Sequence, residues 1–330
     1  KPSSAASDVY KRQASFPWQR LAHALVLVSL VLSQGCRSWP LRRGPQMEKS
    51  PIVFQAAPTL DEIVQAVNRN SEPIQQMQAE TASISVPGLP SLRANLMLER
   101  PRNFRLRAQL LGPELDVGSN SELFWFWAKQ NPRPAVYFAR HDQFAQSQLR
   151  QQLPIDPVWM MEALGIVTLD ESMRLEGPFP AGPERLEIRA YMPSPEGEIA
   201  KVYYVHAKHG WILEQHHYGP QRQLLAIARG SRHQYFPLEK VSLPLQVQLI
   251  VPAAELNMTL QVSNYTLNSS QGDPNQLWAP PQMNGYQWVD LGTGSNDQTE
   301  AVQWNPAPTT PYIRESRVPR PNMRGLSNVP

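Results

Sequence analysis

Cysteine is almost missing from this chain of 330 residues. Cys36 stands alone, so no disulfide can close within it. In a chain this long a sizeable core removes the need for disulfides, and their absence does not fix the compartment. Charge of one sign is lacking too: 31 Lys and Arg face 28 Asp and Glu, a net +3. The arginines are scattered and no lysine-rich stretch occurs, which gives no support to nucleic-acid binding. No Gly-x-Ser-x-Gly, His-Glu-x-x-His or glycine-rich phosphate loop is present, so the common hydrolase, metalloprotease and nucleotide-binding signatures are absent. No internal repeat is visible. Glycine is scarce beside proline, 17 against 33, which points to proline-rich tethers rather than a collagen-like repeat. What is present suffices for a core: 41% hydrophobic residues, with nine Trp and ten Tyr.

The run Leu21 to Leu32 behind Arg20 is apolar but holds only roughly twelve residues, whereas a helix needs about 20 to cross a bilayer core. It suits the apolar region of a cleaved secretory signal. Leu32-Ser33-Gln34-Gly35-Cys36 then resembles a bacterial lipobox, where the peptidase cuts before a cysteine that carries lipid. One departure is that Ser33 stands three before the cysteine, where leucine is usual. The alternative reading of Cys36 is a free buried thiol behaving as a small hydrophobe. Ahead of the signal, Asp8-Val9-Tyr10-Lys11-Arg12-Gln13 is what a widely used transposon sequencing adapter encodes, and no Met precedes Met47. Residues 1–13 are therefore set aside from the fold. The expected organisation is adapter 1–13, lipoprotein signal 14–35, flexible tether 36–58, one folded domain 59–290 and a disordered proline-rich tail 291–330.

Within the domain, Thr59 and Glu62 form a capping box that opens a helix, with Leu60, Ile63, Val64 and Val67 along one face. From Glu80 the period becomes two: Ala94, Leu96 and Leu98 alternate with polar neighbours, as do Phe104, Leu106, Ala108 and Leu110. Further strands are expected at 123–128, 135–140, 174–177, 186–192, 201–207, 211–218, 223–229, 241–251 and 256–267, joined by turn signals. Short strands at this spacing predict one large antiparallel sheet. A single helix interrupts them. Asp156-Pro157 starts it, Gly165 stops it, and Val158 to Leu164 is apolar on most sides, so it must be covered.

These elements, with three motifs, resemble the LolA/LolB lipoprotein carriers. The strand–turn–strand from Leu96 to Phe104, with Arg100-Pro101-Arg102-Asn103-Phe104, is similar to the Arg-Pro-x-x-Phe of LolA. Leu115 to Asn120 followed by Leu123-Phe124-Trp125-Phe126-Trp127 resembles the family's Val-Ser-Asp-Gly turn and aromatic strand. Pro280-Pro281, Gly285, Val289 and Asp290 resemble its closing segment. The resemblance spans residues 60–290 and implies a mainly β (α+β) fold: an unclosed, strongly curved antiparallel β-barrel with an N-terminal amphipathic helix and a helical lid. The chain departs from LolA in length and in carrying a lipobox, and Gly118-Ser119-Asn120 replaces Ser-Asp-Gly. It is accordingly placed in the superfamily and not in either group.

Arg100 matches the arginine that the resemblance assigns to latching the lid through backbone carbonyls, a task suited to five donors and no acceptor. Leu96, Leu98, Phe104, Leu106, Phe124, Phe126, Trp159, Met160 and Met161 are expected to line a hydrophobic cavity, where burial is worth about 0.8 kcal/mol per methylene of an acyl chain. For any one of them ordinary core is the competing account. His206, His209, His216 and His217 cluster around one hairpin, but no carboxylate or cysteine joins them at zinc-site spacing, so neither metal nor cofactor is expected. The leading expectation is a non-enzymatic, monomeric lipoprotein that binds lipidated proteins or other lipids. Acylated Cys36 would hold it to the outer membrane, since Arg37-Ser38 supplies no aspartate retention signal. The runner-up is an envelope scaffold with a packed barrel; an envelope hydrolase built on the histidines ranks third.

Overall fold

The computed structural model describes residues 48–130, 135–144, 157–170, 172–194, 197–269, 272–281 and 285–291. Cys36, the signal segment, the proposed helix cap Asp156 and everything from residue 292 lie outside them.

Helix α1 (Leu60–Ser71) forms where its capping box places it: Glu62 N donates to Thr59 Oγ1, and Thr59 N donates to the Glu62 carboxylate at 2.7 Å. Two amides that the start of the helix would leave unpaired are thereby satisfied. The helix buries Ile63, Ala66 and Val67.

Among the described residues fifteen strands make one sheet. The first meander is β1 (Gln76–Ser85), β2 (Leu92–Glu99), β3 (Asn103–Gln109), β4 (Pro113–Ser119), β5 (Leu123–Ala128) and β6 (Ala135–Arg140). Short helix α2 (His141–Phe144) follows, then α3 (Pro157–Ala163). The second meander is β7 (Arg174–Pro180), β8 (Arg185–Ser194), β9 (Gly197–His206), β10 (Ile212–Tyr218), β11 (Leu224–Phe236), β12 (Val241–Val251) and β13 (Leu256–Val262). Strand β14 (Thr266–Leu267), helix α4 (Pro274–Leu277) and β15 (Gln287–Asp290) complete the described elements. The order β15-β6-β5-β4-β3-β2-β1-β13-β12-β11-β10-β9-β8-β7 joins the meanders through β1 and β13 and leaves β7 and β15 at the two ends. The sheet is unclosed, as expected, and antiparallel except where β15 runs parallel to β6.

Its curvature follows from what touches what. Leu106 on β3 and Val247 on β12 border the same small void, although β2, β1 and β13 lie between their strands. On a flat sheet those four steps would separate them by about 19 Å. The sheet must curl, and α3 sits in the hollow: Trp159, Met160, Met161, Ala163 and Leu164 share one buried cluster with Leu96, Leu98, Phe104, Leu106, Val247 and Leu260. Two-residue alternation supplies that face, with Ala94, Leu96 and Leu98 buried along β2. Strand β12 tolerates Pro244 because β13 pairs with it only from Gln246 onward, and Tyr265 Oη donates to the Pro244 carbonyl at 3.0 Å.

Several expectations are corrected. Leu115 to Asn120 is not a turn; most of it is strand β4, and the reversal falls at Asn120, whose Oδ1 accepts from Glu122 N and Leu123 N. The alternation there was masked because Asp116 and Gly118 face the outer side, where Asp116 is buried against Arg105 and Trp125. Leu110 lies beyond the end of β3 and is 45% exposed. The lower part of the expected tether is docked: Val53 N and Phe54 N donate to Lys208 O, and Phe54 is buried beside Ile63 and Val67.

Candidate functional site

The hollow under α3 collects most of the expected cavity residues. Leu96, Phe104, Leu106 and Met160, with Ala163, Leu164, Val247, Leu249, Met258 and Leu260, line a void of about 10 Å³. That is about the room of one water molecule. Leu98, Trp159 and Met161 belong to the same buried cluster. Phe124 and Phe126 do not. They share the inner face, since Phe124 opposes Ser119 and Phe126 opposes Val117, but pack with Ala135, Tyr137, Ala139 and Leu291 at the far end of the first meander. Strand β5 lies one strand beyond β4, whose Leu115 and Val117 are the outermost to pack on the cluster around α3, and alternation along one strand does not say which strands wrap the helix. The hollow is closed and filled by α3.

Helix α3 ends in a Schellman arrangement. Gly165 adopts φ +92°, Gly165 N donates to Glu162 O, and Ile166 N donates to Met161 O. The chain leaving it is pinned to α1. Asn68 exchanges hydrogen bonds with the Leu169 backbone at 2.8 and 2.9 Å, and Val167 N donates to Ser71 Oγ at 3.0 Å. Arg100 joins this knot: it donates to Ser71 O at 3.2 Å and to Thr168 Oγ1 at 3.0 Å. Its carbonyl acceptor is thus the C-terminal residue of α1, where a helix leaves carbonyls without intrahelical partners. Its second acceptor is on the segment that follows α3.

The helix is less apolar all round than its sequence suggests. Val158 is 48% exposed, while Glu162 is 5% exposed and faces β9 and β10. Lys201 Nζ donates to both Glu162 carboxylate oxygens at 2.7 and 2.8 Å, and His217 Nε2 lies 3.6 Å away. Gln215 Nε2 donates to Glu162 O at 2.6 Å. Burial by itself would raise the Glu162 pKa, but the Lys201 ammonium and His217 reverse this and hold it down at about 2. Sequence reasoning missed Glu162 and Lys201. The signal available was a lone carboxylate in an otherwise apolar helix.

On the outer face a second network spans β8 to β11. Glu214 receives Arg185 at 2.9 Å and Arg229 at 2.9 Å, and stands 2.7 Å from His216 Nε2. Burial works to raise the Glu214 pKa, and the His216, Arg229 and Arg185 contacts lower it to about 2. Toward the other end of the sheet, Arg105 donates to Asp116 at 2.6 Å and to the carbonyls of Leu277 and Ala279, fastening the chain after α4 to the outer surface.

The histidine hairpin is an aromatic stack. His209 and His233 lie nearly parallel to Trp211, at centroid distances of 4.3 and 4.7 Å, and His206 meets the stack edge-on. Burial lowers the His233 pKa to about 4, and it donates from Nε2 to Ile212 O. Among the described residues no group of three or more His, Cys, Asp or Glu is placed to hold a metal ion.

No protein-family model and no curated protein matches the chain. Solved structures do. One is a domain named as an outer membrane lipoprotein-sorting protein from Vibrio parahaemolyticus, at 11% identity, covering 65% of this chain and 94% of that one with a TM-score of 0.44. Another is a LolA superfamily protein from Nitrosomonas europaea, at 11% identity, covering 68% of this chain and 99% of that one with a TM-score of 0.41. The likeness is one of overall arrangement, and no residue's role is carried across from either protein. Among the described residues no helix is long and apolar enough to cross a membrane.

Proposed function

We propose that the protein is a non-enzymatic envelope lipoprotein that takes acyl chains, from lipidated proteins or other lipids, into the hollow now filled by α3. The observation that supports this reading most is the nature of that filling. A seven-residue helix plugs an apolar, curled sheet; its Glu162 is tied to Lys201, and the segment that follows it is tied to Arg100 through Thr168. Ties of this kind are reversible. Withdrawing α3 would expose Leu96, Phe104, Leu106, Val247, Leu249 and Leu260, each methylene of a guest then gaining about 0.8 kcal/mol by burial against them. Met160 and Met258 give that wall an adaptable surface. In this reading Arg100 is the latch at the exit of α3, and acylated Cys36 holds the protein, as a monomer, to the outer membrane.

A second reading, an envelope scaffold with a permanently packed barrel, is favoured by the present void of about 10 Å³. Titration with a fluorescent fatty acid separates the two. The carrier reading expects saturable one-site binding, and expects Arg100→Leu, which loosens the exit of α3, to change the affinity by roughly tenfold, the equivalent of about 1.4 kcal/mol. Folded wild-type protein that binds no probe would leave the scaffold. Loss of acyl mass and of membrane attachment in Cys36→Ala tests the anchor.

A further inference from the structure

Lys201 lies directly opposite His217 across β9 and β10, and Tyr203 directly opposite Gln215. Opposed residues of an antiparallel pair project on one face, so these four side chains form a square on the inner face, under α3. Lys201 is 9% exposed, Tyr203 0% and Gln215 2%. The carboxylate of Glu162 sits on this square, taking two hydrogen bonds from Lys201. The square nevertheless holds an unused donor, because among the described residues the Tyr203 hydroxyl is buried without a hydrogen-bond partner. Buried polar groups in a folded protein are ordinarily paired, and each exception asks for an explanation. Apolar surface adjoins it at Trp159, whose ring is 6.2 Å from that of His217 and which belongs to the buried cluster around the void.

We propose that the square of Lys201, Tyr203, Gln215 and His217 is the headgroup site for a single anionic group at the end of an acyl chain, and that Glu162 occupies it while α3 is closed. This rests on the reading that lipid enters beneath α3. When the helix withdraws, Glu162 leaves with it. Lys201 then stays in a largely apolar wall, where an uncompensated charge is costly. A carboxylate or phosphate monoester restores the pairing: its oxygens accept from Lys201 Nζ and from the Tyr203 hydroxyl, while the chain lies along the apolar wall. A neutral lipid of the same length fills the wall but leaves Lys201 unpaired. Glu162 is thus the lid's own competitor for the ligand's anion.

The test is calorimetric titration of the full chain with decanol, decanoate and decyl phosphate, each below its aggregation concentration, at pH 8. At least one anion is expected to bind tenfold or more tightly than decanol, and the preferred anion distinguishes a fatty-acid from a phospholipid-type source. Lys201→Met should bring anion affinity down to that of decanol, Tyr203→Phe should reduce the preference several-fold, and Glu162→Gln should strengthen anion binding. If Lys201→Met does not fold, the double variant Lys201→Met with Glu162→Gln removes both charges together and gives the same readout. Equal binding of decanol and both anions, or a preference that survives loss of Lys201, overturns the headgroup site and leaves the apolar cavity standing. Binding of none of the three overturns both.

Discussion

Met160 offers the sharpest test of whether α3 is plug or core. Its side chain is 8% exposed and borders the residual void from the helix side, facing Leu106 and Phe104 from the sheet. Met160→Ala removes roughly three methylene-sized groups, at about 0.8 kcal/mol each, and adds a cavity term because the curled sheet can only partly collapse. The expected cost is about 2–4 kcal/mol, near the middle of the range for buried large-to-small changes. Where that cost appears is the informative part. If α3 unfolds only with the whole domain, the loss shows in global stability, as a midpoint about 5–15 °C lower for a domain of this size. If α3 opens on its own, the closed state alone loses the 2–4 kcal/mol, and an acyl probe that needs the open state binds roughly thirtyfold or more tightly. Thermal unfolding by circular dichroism and probe titration, on the same preparation, separate these outcomes. A variant with an unshifted midpoint and unshifted affinity would refute the placement of Met160 in the hollow.

Two further expectations follow from the outer face and from charge. A Cβ at Gly118 would stand 2.2 Å from Trp125 Cζ2, so Gly118→Ala is expected to cost about 3 kcal/mol by overpacking, and combining it with Trp125→Phe should recover part of that loss in a double-mutant cycle; purely additive costs would show that the two do not touch. Stability should also fall on acidification in two windows: through burial of neutral His233 between its ordinary 6.5 and about 4, and through Glu162 and Glu214 between their ordinary 4.5 and about 2. In each case the folded value is depressed, so the unfolded chain binds more protons and the contribution, complete above the ordinary value, is lost as pH falls. Denaturant midpoints measured from pH 8 to 3 check this, and Glu162→Gln with Lys201→Met should flatten the lower window.

Local chemistry was legible in the sequence wherever one residue's neighbours along the chain settled its place. The capping box of Thr59 and Glu62 fixed the start of α1, and Gly165, whose φ of +92° few side chains accept, fixed the end of α3. Short runs bounded by turn signals gave β5, β6 and β12 to the residue, and much of each strand is buried on both faces. Tertiary structure decided what no local pattern carries. Strand β4 was hidden because Asp116, a turn-former by type, is neutralised by Arg105, a partner eleven residues away. Phe124 and Phe126 lie outside the hollow because the strands that wrap α3 reach only as far as β4, and β5 packs with β6 instead. Glu162, the lone carboxylate of an apolar helix, is buried at 5% exposure. Lys201, 39 residues away and on another strand, meets it only once the second meander has folded across the inner face. An ion pair requires two groups to meet in space, and sequence separation sets no bound on that distance until the sheet has closed around the helix.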